Sequence, residues 1–551
     1  MARRMSKAPS MLVRTWLTCL LSATAALAQE SRGPAQMRNS PQGARGAAFA
    51  APPTSRPVDP DWPTAGHDMQ RTSWGAGCPT PPFRYRWAWA NGERLQPADL
   101  KSEKFLLAPV GLLPDRITTR FMALAQPVVQ GSTAYIGSTD GEIFAIDLAT
   151  GQTRWKAVAS GRILHSLSIG PATIAATASS APTAMAIIAA TTGGIDAFST
   201  KGEGPPNAKY GVWGPRRLWR FAPKLDGFWT CPAIAGGLVL AGSIGGTFYA
   251  IDIASGQPRW SRKIGASIYH CPAVTGQTVL FGAENMHAYC LRLADGELIW
   301  ESDQTIGSTF GHHWPVVVQG REITMFRTNS LTGIWNSFEA VNRAPHDYLR
   351  SQQALRKYYQ DNPRARNLYC LGLADGKERL FVCTGQYSGM GDVPPLPVVR
   401  PDGSVLASNY SREGAFLEKD EFKAWGRCLD VGQVDFQTGL FAPLGPPGSR
   451  VGPLDIYRAD YPTAGIFGGG GYLLFYNHAL GLWCEPLEAK GPRWGAFSNL
   501  CAEFQKLGKS GCLGEASMFP GWICPAVTAE VIVANPFGTC VVAWESTREK
   551  K

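Results

Sequence analysis

Long apolar runs are missing from most of this 551-residue chain. Only residues 15–28 form one, and at about 14 residues it falls short of the roughly 20 that a membrane-spanning helix needs, so no transmembrane segment is expected. Metal-ligand spacing is missing too. The 13 cysteines and 8 histidines contain no CxxC and no HxxxH pair, which removes the usual zinc signatures. Nor does one sign of charge dominate once the N-terminal stretch is set apart. Of the formal net charge of +10, residues 1–28 carry +4 and residues 29–58 carry +3; the remaining +3 is too little to argue for nucleic acid or a membrane surface as partner.

What is present begins with a leader. Arg3, Arg4, Lys7 and Arg14 precede an apolar stretch ending Ala26-Leu27-Ala28 before Gln29, the pattern of a secretory signal peptide over residues 1–28. Thr18 stands where a lipoprotein signal before Cys19 would want glycine or alanine. Residues 29–58 are rich in Pro, Ala, Gly and Arg with few large apolar side chains, and are expected to be a disordered tether. The mature protein is expected to be exported, to the periplasm, the cell surface or the medium.

The informative stretch is 231–301, one unit written twice. CPAIAGGLVLAGSIGGTFYAIDIASGQPRW is followed 40 residues on by CPAVTGQTVLFGAENMHAYCLRLADGELIW, and in both the leading proline and closing tryptophan are 28 residues apart. Alternating apolar positions broken by Gly/Ser turns give four short strands per unit, the period and content of a β-propeller blade. Eight units are expected: residues 127–155, His165 to Trp219, the organising pair, one from Trp314 interrupted by a surface helix at 347–359, then 396–441, 461–494 and a last unit from Cys524. Seven is the alternative count. The fold class is therefore all-β, a single eight-bladed β-propeller of four-stranded antiparallel blades over residues 59–548, with insertions near 91–124, 340–366 and 495–522. The last unit stops after three strands, while residues 83–90 (FRYRWAWA) read as an outermost strand with no inner strands before it. They are expected to complete the last blade and close the ring, leaving no free edge.

Pro232, Tyr249-Ala250-Ile251-Asp252, Ser255-Gly256 and Trp260 resemble the pyrroloquinoline-quinone-type β-propeller repeat, with its proline-led inner strand, third strand, turn and docking tryptophan. Trp155, Trp219, Trp260, Trp300 and Trp494 are read as structural for that reason. Residues 61–72 resemble the segment that precedes many propellers of the family. The resemblance implies the fold far better than the function, because the family holds both quinoprotein dehydrogenases and the non-catalytic propeller of the outer-membrane assembly machinery.

Cysteine positions follow the repeat. Cys290, Cys370, Cys428, Cys484 and Cys540 are aligned with Ala145 and Ala250, the small residue of the third strand, and read as packing groups. Cys231, Cys271 and Cys524 stand just before the strand-opening proline. Alternation puts the residues one and three before that proline on one side, which gathers Trp229, Cys231, Tyr269, Cys271, His312, Trp314, Trp522 and Cys524 at a channel mouth, with His270 and His313 on the opposite side. These ten are the candidate ligand-binding residues. Thiols and imidazoles together could hold a soft metal, although the spacing names no ligand set. Cys501 and Cys512, in a loop outside the repeat, are a candidate disulfide.

The resemblance also sets the chemistry to look for. A quinoprotein holds pyrroloquinoline quinone, Ca²⁺ and a carboxylate base together, and the family's alcohol dehydrogenases carry adjacent cysteines. This chain has no Cys-Cys and no CxxCH, and no residue can be named as a catalytic base. Asp140, Asp252, Asp295, Asp375 and Asp430 each fall in a repeat turn or third strand. The reading is an exported, monomeric, non-catalytic scaffold whose rim and channel mouth bind another exported or envelope protein or a ligand. Its alternatives are a quinone- and Ca²⁺-dependent oxidoreductase of alcohols or sugars, and a propeller that binds a small ligand or metal.

Overall fold

At the outer turn of several blades an aspartate caps the chain four residues before a left-handed glycine. Asp147 accepts from the N–H and hydroxyl of Thr150, and Asp252 from those of Ser255, so that Gly151 and Gly256 turn at φ +71° and +72°. Such turns join the third strand of a blade to its fourth.

The computed structural model describes residues 58–81, 83–94, 119–122, 125–172, 185–202, 214–311, 313–318, 320–329, 348–383, 396–411, 428–443, 466–477, 481–487, 524–535, 538 and 540–546. They form eight sheets, one for each expected blade, in a ring. Blade I runs from Val128–Gln130 to Thr153–Val158, II from Ser168–Pro171 to Arg217–Phe221, III from Ala233–Ala235 to Pro258–Lys263 and IV from Ala273–Thr275 to Leu298–Glu301. Blade V runs from Val316–Val318 to Glu378–Leu380 and VI from Val398–Val399 to Phe441–Pro443. Blade VII has Ile466–Gly469, Tyr472–Asn477 and Gly481–Pro486, with Trp74–Gly75 added in parallel to its inner strand. Trp494 lies outside the described residues. In blade VIII, Ala526–Val527, Ile532–Ala534 and Val541–Ser546 are completed by Phe83–Ala90, paired from Phe83 with Ser546 to Trp89 with Val541. The chain closes its ring as expected, and the count is eight. The interruption of blade V contains the helix Tyr348–Asp361, whose Leu355 and Tyr359 are buried with Ala365.

Blades dock through tryptophan. Trp219 Nε1 donates to Ile253 O at 2.6 Å, Trp260 to Leu293 O at 2.9 Å, Trp300 to Leu373 O at 2.7 Å and Trp155 to Thr200 O at 3.3 Å. Trp87, on the closing strand, does the same to Leu148 O at 2.9 Å. The turn glycine of the next blade lies against the indole: a Cβ on Gly151, Gly256, Gly296 or Gly376 would stand 2.5–2.7 Å from a carbon of Trp87, Trp219, Trp260 or Trp300. Bare backbone there admits the ring, which is why the turn ends in glycine.

The same glycines set the register of the third strand. Six residues before them stand Ala145, Ala250, Cys290 and Cys370, all buried. Burial pushes the Cys290 thiol up to about 12 and that of Cys370 higher still, as expected of inert packing groups. Cys484 pairs with Leu474 in that register. Cys428 and Cys540 depart from the expected alignment. Cys428 lies opposite Ser411, eleven residues before Gly439, and in blade VIII the position opposite Trp87 is Ala543. Blade VI lacks the docking tryptophan and blade VIII takes its own from residue 87, so neither sequence segment fixes its register locally.

Candidate functional site

The inner strand of every blade has one edge turned to the ring axis, with backbone groups that need partners. Residues 62–73 supply them, blade by blade in order. Trp62 exchanges bonds of 2.9 and 2.8 Å with Val129 of blade I, and Pro63 O accepts from Ile169 of blade II. The Met69 sulfur accepts from Ile234 of blade III at 3.2 Å, and Met69 O from Val274 of blade IV at 2.7 Å. Gln70 O serves Val317 of blade V, Thr72 O Val399 of blade VI and Ser73 O Gly468 of blade VII. Gln126 ties the segment to blade VIII, accepting from Gly66 N–H at 2.8 Å and donating to Pro525 O at 2.6 Å.

Arg71 anchors this axial segment. Fully buried, it donates from Nε to Pro272 O (3.0 Å), from Nη1 to Thr64 Oγ1 (2.6 Å) and Ala65 O (2.5 Å), and from Nη2 to Pro232 O (3.3 Å). It thus joins the segment to the opening prolines of blades III and IV.

Beside it lies a pair of thiols. Cys231 N–H donates to Cys271 Sγ at 3.2 Å, as Gln126 N–H does to Ser166 Oγ at 2.8 Å on blades I and II. His165 Nδ1 accepts from Ser166 N–H, which leaves the proton of the neutral ring on Nε2, 3.3 Å from Cys271 Sγ. Cys231 Sγ lies 3.3 Å from Ser168 Oγ, 3.4 Å from Thr64 Oγ1 and 3.9 Å from Arg71 Nη1. Burial alone would raise the Cys231 thiol, but the hydrogen bond from Cys271, the Arg71 guanidinium and His165 hold it well below its ordinary value. Burial, then the neighbouring Cys231, pushes Cys271 well above.

The remaining expected residues separate into distinct places. Trp229 and Tyr269, two positions ahead of the thiols, are half-buried and meet edge to face at 5.4 Å; Trp229 Nε1 donates to Leu164 O. In the same connection Leu225 stands 98% exposed at φ +57°. His270 is buried against Phe310 and Phe326, accepts from Gly282 N–H at Nδ1, and is held well below its usual value by burial and by the positive charge of Arg71. His313 Nε2 is 3.1 Å from Asn329 Oδ1, and Trp314 is buried with its ring 6.4 Å from that of His165. Cys524 is buried on blade VIII. His312, Trp522, Cys501 and Cys512 lie outside the described residues. Among the described residues, no three His, Cys, Asp or Glu side chains converge as metal ligands.

Sequence reasoning missed Arg71 and His165. The histidine occupies the same repeat position as His270 and His313, but blade II has leucine where the others have proline, which hides the alignment. Of the turn aspartates, Asp252 caps its turn, Asp295 bonds Arg292 and Asp375 bonds Arg379, all structural roles. Among the described residues no carboxylate cluster is assembled that would hold Ca²⁺ beside a quinone, and residues 62–73 lie along the inner strands with their backbone.

Residues 105–199 and 214–347 match a family model described as outer membrane protein assembly factor BamB. Among solved structures the chain is similar to quinohemoprotein alcohol dehydrogenase ADHIIG from Pseudomonas putida HK5, at 10% identity over 92% of this chain and 84% of that one, with a TM-score of 0.50. It is also similar to BamB from Moraxella catarrhalis (13% identity, 76% and 82% covered, TM-score 0.33) and to the computationally designed Ika8 protein (9%, 78% and 98%, 0.45). At such identities the likeness is one of fold. No curated protein matches the chain.

Proposed function

Given that the chain belongs to the pyrroloquinoline-quinone-like propeller family, we propose that it is an exported, non-catalytic scaffold that binds an envelope protein through its channel-mouth face. The observation that carries this reading is the occupied axis: residues 62–73 take up the inner-strand hydrogen bonds of seven blades, leaving outer surfaces for recognition. The connection after Phe221 offers Leu225, almost wholly exposed, close in sequence to half-buried Trp229, and Trp229 packs on Tyr269; apolar and aromatic side chains of this kind anchor protein partners. Among the described residues no helix is long and apolar enough to cross a membrane.

Export by residues 1–28 is part of the proposal, and N-terminal sequencing of the mature protein should begin at Gln29. A photo-crosslinker at residue 225 should capture one defined envelope protein. Leu225→Asp should abolish that capture with the thermal midpoint unchanged. A titration with pyrroloquinoline quinone and Ca²⁺, followed by dye reduction over alcohols and sugars, tests the opposite reading: saturable binding with turnover would overturn ours.

A further inference from the structure

The buried thiols have a chemistry that partner binding does not use. They come from equivalent positions of neighbouring blades, 40 residues apart, and the hydrogen bond from Cys231 N–H to Cys271 Sγ at 3.2 Å brings the second sulfur against the backbone of the first. Both are free cysteines here.

We infer that Cys231 and Cys271 are a redox-active dithiol site, converted by a peroxide-class oxidant into a disulfide that bridges blades III and IV. The surroundings supply what the reaction needs. Arg71 Nη1 lies 3.9 Å from Cys231 Sγ and favours a thiolate there, while His165 Nε2 lies 3.3 Å from Cys271 Sγ. Full burial selects the oxidant by size, since a bulky disulfide donor must wait for the blades to part. In the first step the Cys231 thiolate attacks one oxygen of hydrogen peroxide, forming the sulfenic acid and releasing hydroxide, which takes up a proton to become water. In the second, Cys271 sulfur displaces the sulfenic hydroxyl, which leaves as water with the Cys271 proton. In total two thiols lose two electrons and peroxide becomes two waters.

The test uses the reduced mature protein treated with hydrogen peroxide, alkylated and digested with trypsin without reductant. Cleavage after Lys224, Arg259, Lys263 and Arg292 puts the two cysteines on separate peptides, 225–259 and 264–292; the second also holds Cys290, so fragmentation must assign the linked sulfur. The expected product is the Cys231–Cys271 linked pair, reversed by dithiothreitol. Cys271→Ala should instead stop at a sulfenic acid on Cys231 that dimedone traps. If the wild-type protein keeps both as free thiols, forms the link through Cys290, or carries Cys231 to sulfinic acid unlinked, the inference is wrong. The wild-type peptides decide the matter even if the variant fails to fold. The outcome is independent of partner capture at residue 225.

Discussion

Arg71 is the residue on which most of the axial order depends. Its guanidinium donates to the carbonyls of Ala65, Pro232 and Pro272 and to the Thr64 hydroxyl, in a region closed to water. Arg71→Met keeps much of the volume and leaves those acceptors without a donor, so it should lower unfolding stability by about 3 kcal/mol, as losses of buried charge-assisted bonds do. Urea denaturation would measure it; a loss below about 1 kcal/mol would mean that water or neighbouring N–H groups take over. The residue was not legible in the sequence as an anchor. Nothing near Arg71 marks it apart from the segment's resemblance to its family, because the carbonyls it ties to the blades, Pro232 and Pro272, are about 160 to 200 residues away. The thiols, by contrast, were legible as a set, since the repeat places Cys231 and Cys271 at one position of two blades.

At the scale of the element, the tryptophan on the turn glycine makes a prediction that separates two causes of strain. Gly296 and Gly276 both have positive φ, +75° and +54°. A Cβ on Gly296 would meet the Trp260 ring at 2.5 Å, whereas one on Gly276 meets nothing within 4 Å. Gly276→Ala should cost about 1 kcal/mol, the conformational term alone. Gly296→Ala should cost about 2–3 kcal/mol, because the indole must also be displaced. Equal denaturation midpoints for the two would remove the docking role from the glycine. Elements with this signature were the ones read correctly in the sequence. Where it fails, in blades VI and VIII, the strands exist but Cys428 and Cys540 were assigned the wrong register, since alternation alone cannot fix a strand's position to within a few residues.

For the whole molecule, the repeated turns set the acid limit. Asp147 is held at about 2, burial opposing but the Arg154 and Thr150 hydrogen bonds prevailing; Asp252 is lowered chiefly by the Ser255 N–H, and Asp435 chiefly by the Thr438 hydroxyl. A carboxylate whose folded value is depressed stabilises the fold fully above its unfolded value near 4, and that contribution is lost as pH falls through the folded value. The thermal midpoint should therefore begin to decline below about pH 6.5, where buried His270 favours the unfolded state, and should fall more steeply between about pH 4 and pH 2 as the turn carboxylates protonate. Asp147→Asn should make that fall shallower. A midpoint with no added fall below about pH 4 would take the acid limit away from the turn carboxylates. Ring closure by residues 83–90 could be read from an unpaired strand at one end of the chain and a missing strand at the other. The filling of the axis could not, because it rests on backbone groups that every sequence possesses.

One consequence of that filling concerns number. The axial segment spends about one residue, or one short turn, on each blade, and meets them in the order in which they are made. A duplicated or deleted blade would shift every later meeting point and strand a row of carbonyls against the wrong neighbour. Residues 62–73 thus serve as a ruler for the wheel. They hold its count at eight, and for lineages that gain or lose repeats the hub must be rewritten before the rim can change.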